Sequence, residues 1–255
     1  MNFTLITGAS SGIGEEFVRQ YAKKGHSLVI TARNEEKLHQ LARDLMNLYK
    51  ITIHVIPQDL ALPNAAEELY KKCQDKNLRI NLLINDAGIG LISEFESQDL
   101  NKIQEMIFIN ILALTKLCYL FLPQLKENHG AILNVASQAS FEPTPYMAAY
   151  GATKAYVLSF TQALRVELQD TDVEVTALCP GPTYTNFFKR ANTTSHVIQF
   201  KFRQPAEVVE EAIKGLESGK AITMPGWENN LWTFMTRFMP RSALAKVSQF
   251  MVNKK

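Results

Sequence analysis

From the first residues onward, short apolar runs alternate with amphipathic helical runs, and this alternation constrains the fold more than any other feature. Residues 3–7, 27–32, 51–56, 81–84, 130–136, 173–179 and 221–224 read as strands. Residues 12–24, 35–49, 63–76, 98–127, 150–169 and 205–217 read as helices. In the first helix Ile13, Phe17, Val18, Tyr21 and Ala22 recur at helical spacing, and Gly25 stops it. Asn34 is placed to cap the second. The strands are apolar on both faces, as in Leu82-Leu83-Ile84, so they belong in a parallel sheet covered by helices on both sides. Right-handed crossovers then predict an α/β fold, a doubly wound, Rossmann-like, seven-stranded parallel sheet in a single domain. No composition shift marks a linker before residue 226, so 1–225 form one unit and 226–255 a C-terminal extension.

Composition narrows the classes. The net charge is +2 in 255 residues, which gives no general reason to expect a nucleic-acid partner. Cys73, Cys118 and Cys179 lie far apart, which points to reduced thiols in a cytoplasmic protein. The five histidines are scattered without metal-ligand spacing, so no metal is expected. The chain begins almost directly in a strand, without a secretory signal pattern. The apolar stretch 106–123 is broken by Asn110, Thr115 and Lys116 and reads as a buried helix.

The first strand runs into Thr7-Gly8-Ala9-Ser10-Ser11-Gly12-Ile13-Gly14 and then a helix. Glycines at such a turn let the backbone approach a pyrophosphate, whose charge sits at the helix N-terminus. Further on, Tyr150 and Lys154 stand four apart and share one helix face. A phenol titrates near pH ~10, too high for an efficient neutral acid or base. A neighbouring ammonium favours tyrosinate and is expected to lower that value.

These residues, with Asn85-Asp86-Ala87-Gly88, Asn110, Ser137, Tyr150-Gly151-Ala152-Thr153-Lys154 and Pro180-Gly181 in order, resemble the short-chain dehydrogenase/reductase family, in its short single-domain branch. The resemblance covers about residues 1–225 and implies an oxidoreductase that moves hydride between a nicotinamide and a carbonyl or alcohol carbon. It implies four catalytic residues. Tyr150 handles the proton, and Ser137, 13 residues before it, polarises the substrate oxygen. Lys154 supports Tyr150 and binds the nicotinamide ribose. Asn110 keeps a helix kink and a water path to the lysine. Ser140 is the competing local serine. The resemblance also implies a cofactor site of Gly8, Ser10, Ser11, Gly12, Ile13, Gly14, Arg33, Asp59, Leu60, Asn85, Ala87, Gly88, Tyr150, Lys154, Pro180, Gly181, Thr183 and Thr185. Asp86 departs from the family's usual second asparagine.

The second predicted strand ends Thr31-Ala32-Arg33, with alanine where the resemblance would place an acid for NAD(H). Arg33 can meet a 2′-phosphate by charge and paired bonds, so NADP(H) is expected over NAD(H). Phe141, Tyr146, Met147, Phe187 and Phe188 point to an apolar cleft for a small-molecule carbonyl or alcohol substrate. The aperiodic segment at about 183–204 reads as a substrate loop. After Glu228 basic residues interleave with large apolar ones. Residues 229–255 therefore make either a peripheral membrane contact or a packing surface on the chain's own domain or another subunit. By resemblance a homo-oligomer is expected. Two other functions share these features. A sugar-nucleotide epimerase or dehydratase has the Tyr-x-x-x-Lys pair, but the glycine spacing and short substrate part argue against it. A non-catalytic nucleotide-sensing or scaffold protein fits the fold, yet would not need Asn110, Ser137, Tyr150 and Lys154 together.

Overall fold

The computed structural model describes residues 1–191, 196–198 and 202–254. Seven parallel strands form one sheet in the order β3-β2-β1-β4-β5-β6-β8. They are β1 (Asn2–Thr7), β2 (Ser27–Thr31), β3 (Ile53–Val55), β4 (Arg79–Asn85), β5 (Ala131–Val135), β6 (Glu174–Leu178) and β8 (Ile222–Thr223). The connecting helices are α1 (Gly12–Lys23), α2 (Glu35–Tyr49), α3 (Ala65–Asp75), α4 (Leu100–Ile107), α5 (Leu114–Glu127), α6 (Ala148–Glu167) and α8 (Pro205–Glu217). The single doubly wound domain expected from the alternation is what forms.

Neighbouring residues on a strand point to opposite faces, and here both faces are core. Leu5, Leu83, Ile132 and Ala177 join the layer under α3, α5 and α6, where Phe121 is fully buried. Their neighbours Ile6, Ile84, Leu133 and Leu178 join the layer under α1, α2 and α8, with Phe17 at its centre. This double burial explains the continuous apolar runs. Asn34 caps α2 as expected, accepting from Lys37 N at 2.9 Å.

The strand order reverses between β1 and β4, which pair directly. At such a switch point the loops at the carboxyl ends of the strands part and leave a crevice. Thr7 fixes its floor: its hydroxyl accepts from the backbone N–H groups of Asp86 and Ala87, both at 3.0 Å.

The stretch Leu100–Glu127 is long and apolar enough to cross a membrane by length and composition. In the fold it contributes Met106, Leu117, Cys118, Phe121 and Leu125 to the interior. It is not one regular helix. Residues Phe108–Ala113 widen into a π-helical stretch between α4 and α5. Such widened turns concentrate at functional sites, and this one carries Asn110.

The segment expected to be an aperiodic loop contains α7 (Phe187–Arg190) and β7 (His196–Ile198), while 192–195 and 199–201 lie outside the described residues. The C-terminal extension forms α9 (Trp227–Thr236), α10 (Arg241–Met251) and β9 (Val252–Lys254). The backbone of β9 pairs antiparallel with β7. Of the alternatives open for this extension, packing on its own domain is seen: Leu244, Thr233 and Thr236 are buried, and the Trp232 indole donates to Glu142. Its outer side leaves Trp227, Leu231, Phe234, Met235 and Phe238 exposed.

Candidate active site

One cleft of about 570 Å³ runs along the carboxyl ends of the strands. Its lining brings together most of the residues singled out in the sequence: Gly8, Ser10, Ser11, Gly12 and Ile13 at one turn, and Arg33, Asp59 and Leu60 beyond it. Ala87 and Gly88 form the floor, with Ser137, Tyr150, Lys154, Pro180, Gly181, Thr183 and Thr185 across from them. Gly14, Asn85 and Asn110 do not line it, and each acts from behind the wall.

Gly14 shows why the turn needs its glycines. A Cβ there would lie 2.5 Å from the Gly8 carbonyl oxygen and 2.6 Å from Asp86 Oδ2. Gly8 itself has φ +70° and would clash with Ala87 N at 2.9 Å. The turn therefore packs backbone against backbone, directly over the floor, and opens α1 toward the cleft. Free N–H groups at that helix end favour an anion. Arg190 adds a cation from α7: its Nη1 donates to Ser11 Oγ at 3.2 Å. Arg190 gave no signal in the sequence, because its partner is 179 residues away.

Asn85, expected in the cofactor site, sits one layer down at the end of β4 and does not line the cleft. It is 3% exposed and donates to Asn134 Oδ1 at 2.9 Å. Its neighbour Asp86 reaches under the glycine turn, where a Gly14 backbone hydrogen bond and Lys154 favour its charged form. Burial outweighs both and raises its pKa to about 7.

Asn110 clamps the widened turn to the floor loop. Its Oδ1 accepts from Ile89 N, and its Nδ2 donates to Ile89 O and to Thr153 Oγ1, all at 3.0 Å. Thr153 is in α6, one residue before Lys154, so this clamp sets where the lysine stands. Asn110→Ala leaves the part-buried N–H and C=O of Ile89 unmatched, while the Thr153 hydroxyl keeps its bond to Tyr150 O. Each unmatched group costs about 1–3 kcal/mol, although relaxation will recover part of that. The expected result is a thermal midpoint lowered by about 4–8 °C, at about 2–4 °C per kcal/mol for a chain of this size. Differential scanning calorimetry checks it, and an unchanged midpoint would mean that the clamp is idle.

Tyr150 and Lys154 share the inner face of α6 and are 7% and 6% exposed. The Lys154 ammonium lies 6.0 Å from the Tyr150 ring centroid and donates to Val135 O at 2.7 Å. Phe187 of α7 packs its ring 5.3 Å from Tyr150. Ser137 follows β5; its hydroxyl accepts from Ala139 N at 3.1 Å, and its nearness to the phenol favours tyrosinate. The sequence reading expected the lysine to lower the phenol's pKa. Burial instead dominates, and the Asp86 charge adds to it, raising Tyr150 to about 12. Burial also lowers Lys154, to about 8. The competing Ser140 does not line the cleft, and its hydroxyl donates to Lys154 O at 2.8 Å.

At the far end Arg33 pairs with Glu105 of α4, Nη1 to Oε1 at 2.9 Å, and Lys102 lines the same end. Neither Glu105 nor Lys102 was expected from the sequence. No cluster of metal-ligating side chains occurs among the described residues.

Comparisons with known proteins agree with this geometry. The family model described as short chain dehydrogenase matches residues 2–196. A short-chain dehydrogenase from Sphingobium yanoikuyae, solved in complex with NADPH, superposes with a TM-score of 0.85 at 31% identity, covering 96% of both chains. The bulky-bulky ketone specific alcohol dehydrogenase from Comamonas testosteroni superposes with a TM-score of 0.80 at 31% identity, covering 96% of this chain and 94% of that one. A 7beta-hydroxysteroid dehydrogenase from Mediterraneibacter gnavus is 29% identical over 230 residues, 89% of this chain and 86% of that protein. With a glycine turn at the switch point and a serine, a tyrosine and a lysine gathered over its floor, the chain belongs to the short-chain dehydrogenase/reductase family of oxidoreductases.

Proposed function

We propose that this protein is an NADP(H)-dependent carbonyl reductase or alcohol dehydrogenase acting on a small, mainly apolar substrate. The observation that carries this reading is the meeting of Ser137, Tyr150 and Lys154 at one end of a cleft whose other end presents Arg33 and Lys102. The residues fit a dinucleotide: glycine backbone and Arg190 stand where a pyrophosphate would lie, and Thr183 and Thr185 face the opposite wall. A bound nicotinamide exchanges the hydride with the substrate carbon.

The chain's own residues handle the oxygen. Tyr150, held protonated by burial, gives its phenolic proton to the carbonyl oxygen as negative charge develops there. Ser137 donates a second hydrogen bond to the same oxygen. Lys154 then stands close enough to favour the tyrosinate that remains. In the direction of alcohol oxidation the same phenolate takes the proton back. Ile89, Leu91, Met147, Phe187 and Phe188 give the substrate end its apolar walls and exclude water. A carbonyl-substrate screen followed by NADPH absorbance, with Tyr150→Phe as control, tests the reading. Consumption that needs Tyr150 supports it, and no consumption across aldehydes and ketones would overturn it.

The cofactor preference rests on Arg33. Its bond to Glu105 is exposed, with side chains 53% and 32% accessible, and such pairs contribute only about 0–1 kcal/mol. A hydrogen bond to a charged group is worth about 1.5–3 kcal/mol. Arg33 would therefore exchange Glu105 for a 2′-phosphate, with Lys102 adding charge. NADPH is expected to bind about 10- to 100-fold more tightly than NADH, at about 1.4 kcal/mol per tenfold. Ala32→Asp with Arg33→Ala is expected to reverse that order. Calorimetric titration of both cofactors decides it: equal affinities in the native protein would make Arg33 a surface residue.

The same reading includes a homo-oligomer and a cytoplasmic location. Exposed Ile107, Leu112, Tyr119, Tyr156 and Val166 on or beside α4, α5 and α6 support the first. The three free, buried cysteines support the second.

A further inference from the structure

Glu142 is a carboxylate that the chemistry above leaves unused. It lies between Ser137 and Tyr150 in the chain and lines the same cleft. Two donors from the C-terminal extension converge on one of its oxygens. Trp232 Nε1 and Ser248 Oγ each reach Oε2 at 3.0 Å. No described residue donates to Oε1 or pairs a cation with this carboxylate. Burial raises its pKa, against the pull of both donors. Its companions along the substrate walls are Met147, Phe187, Phe188 and Leu91. Ser248 lines the cleft too and is 3% exposed, so the extension itself forms part of the substrate wall.

A half-buried carboxylate that lines the cleft, with one oxygen doubly bonded and no described donor on the other, is a polar point available to whatever fills that cleft. An ammonium group would need several acceptors to offset its desolvation, and only one oxygen is open. A hydroxyl needs one. We propose that Glu142, held by Trp232 and Ser248, is a substrate-recognition residue. The substrate is then a bulky, mainly apolar carbonyl compound with a second, remote hydroxyl that donates to Glu142 Oε1. This rests on the reductase reading above, and names its substrate class.

The test uses decalones at saturating NADPH, each plain ketone matched with analogues that carry one hydroxyl at successive remote positions. The readout is the ratio of kcat/KM between hydroxylated and plain ketone. The native enzyme is expected to favour at least one hydroxylated analogue about 10-fold or more, the worth of one hydrogen bond to a charged group. The gain should appear in KM. Glu142→Gln, which replaces one oxygen by an NH₂ donor, and Glu142→Leu should bring the ratio to about one. Trp232→Phe loosens the extension but keeps Oε1, and should retain the preference. If no analogue is favoured, or if the Glu142 variants slow both ketones equally and keep the ratio, Glu142 only fastens the extension and the proposal is overturned. If the native enzyme reduces neither series, the proposal is overturned too, and the wider aldehyde and ketone screen shows separately whether the reductase reading falls with it.

Discussion

Tyr150→Phe is expected to lower kcat about 10²- to 10⁴-fold, the usual worth of a positioned acid or base, while NADPH binds as before. The reasoning is geometric. Phenylalanine keeps the ring that packs 5.3 Å from Phe187 and keeps the face of α6 intact. Only the hydroxyl is lost, and with it the proton that the proposed chemistry needs. Lys154 stays anchored by Val135 O, so its position does not depend on the phenol. Rate and cofactor affinity should therefore separate cleanly. Steady-state kinetics beside calorimetric NADPH titration measures both, and a variant that turns over at the native rate would remove Tyr150 from the chemistry.

Gly14→Ala is expected to weaken cofactor binding about 10-fold or more. One methyl group suffices because nothing near it can yield cheaply. It would meet the Gly8 carbonyl at 2.5 Å, part of the turn's own backbone, and Asp86 Oδ2 at 2.6 Å. Asp86 in turn is tied through its backbone to Thr7 at 3.0 Å. Overpacking of this kind costs about 1–3 kcal/mol, and relief requires the turn to lift from the floor. Both surfaces that would hold the dinucleotide then move apart. NADPH affinity should fall about 10-fold or more, at about 1.4 kcal/mol per tenfold, with a lower thermal midpoint. Native affinity in this variant would show that the turn does not carry the phosphate.

The residues that announced themselves in the sequence are those whose role follows from local pattern. The alternation of apolar runs revealed the sheet because every strand is buried on both faces. The helix expected over 205–217 forms with those ends as α8. The glycine turn and the Tyr150–Lys154 pair were legible because a turn and a helix face are short-range objects. What stayed hidden depends on distant partners. The Asn110 clamp needs Ile89 and Thr153, the Arg33 pair needs Glu105, and the Glu142 clasp needs Trp232 and Ser248. No periodicity encodes such meetings. The Tyr150 phenol illustrates the same limit. Four-residue spacing placed an ammonium on its helix face, but the balance between that charge and burial is set by Asp86, Val135 and the surrounding walls.

The resemblance implies a helix kink at Asn110, but the residues alone do not show its π-helical form. Leu100–Glu127 keeps a helical apolar pattern through Asn110, and the extra residue per turn leaves no compositional mark. In the C-terminal extension large apolar residues face both inward and outward. Leu244 is buried while Trp227 and Phe238 are exposed, and that mixture blurred the distinction between packing and surface.

The central claim is that this cleft moves hydride between a nicotinamide and a carbonyl carbon while Tyr150 supplies the proton. Its most direct test is to incubate the protein with NADPH stereospecifically deuterated at C4 and a ketone that it consumes, and to analyse the alcohol by mass spectrometry and NMR. The predicted result is one deuterium on the carbinol carbon from one C4 face, with the hydroxyl proton from solvent and only residual product from Tyr150→Phe. Product without transferred deuterium from both the 4R- and the 4S-labelled cofactor, or equal labelled product from Tyr150→Phe, would contradict it.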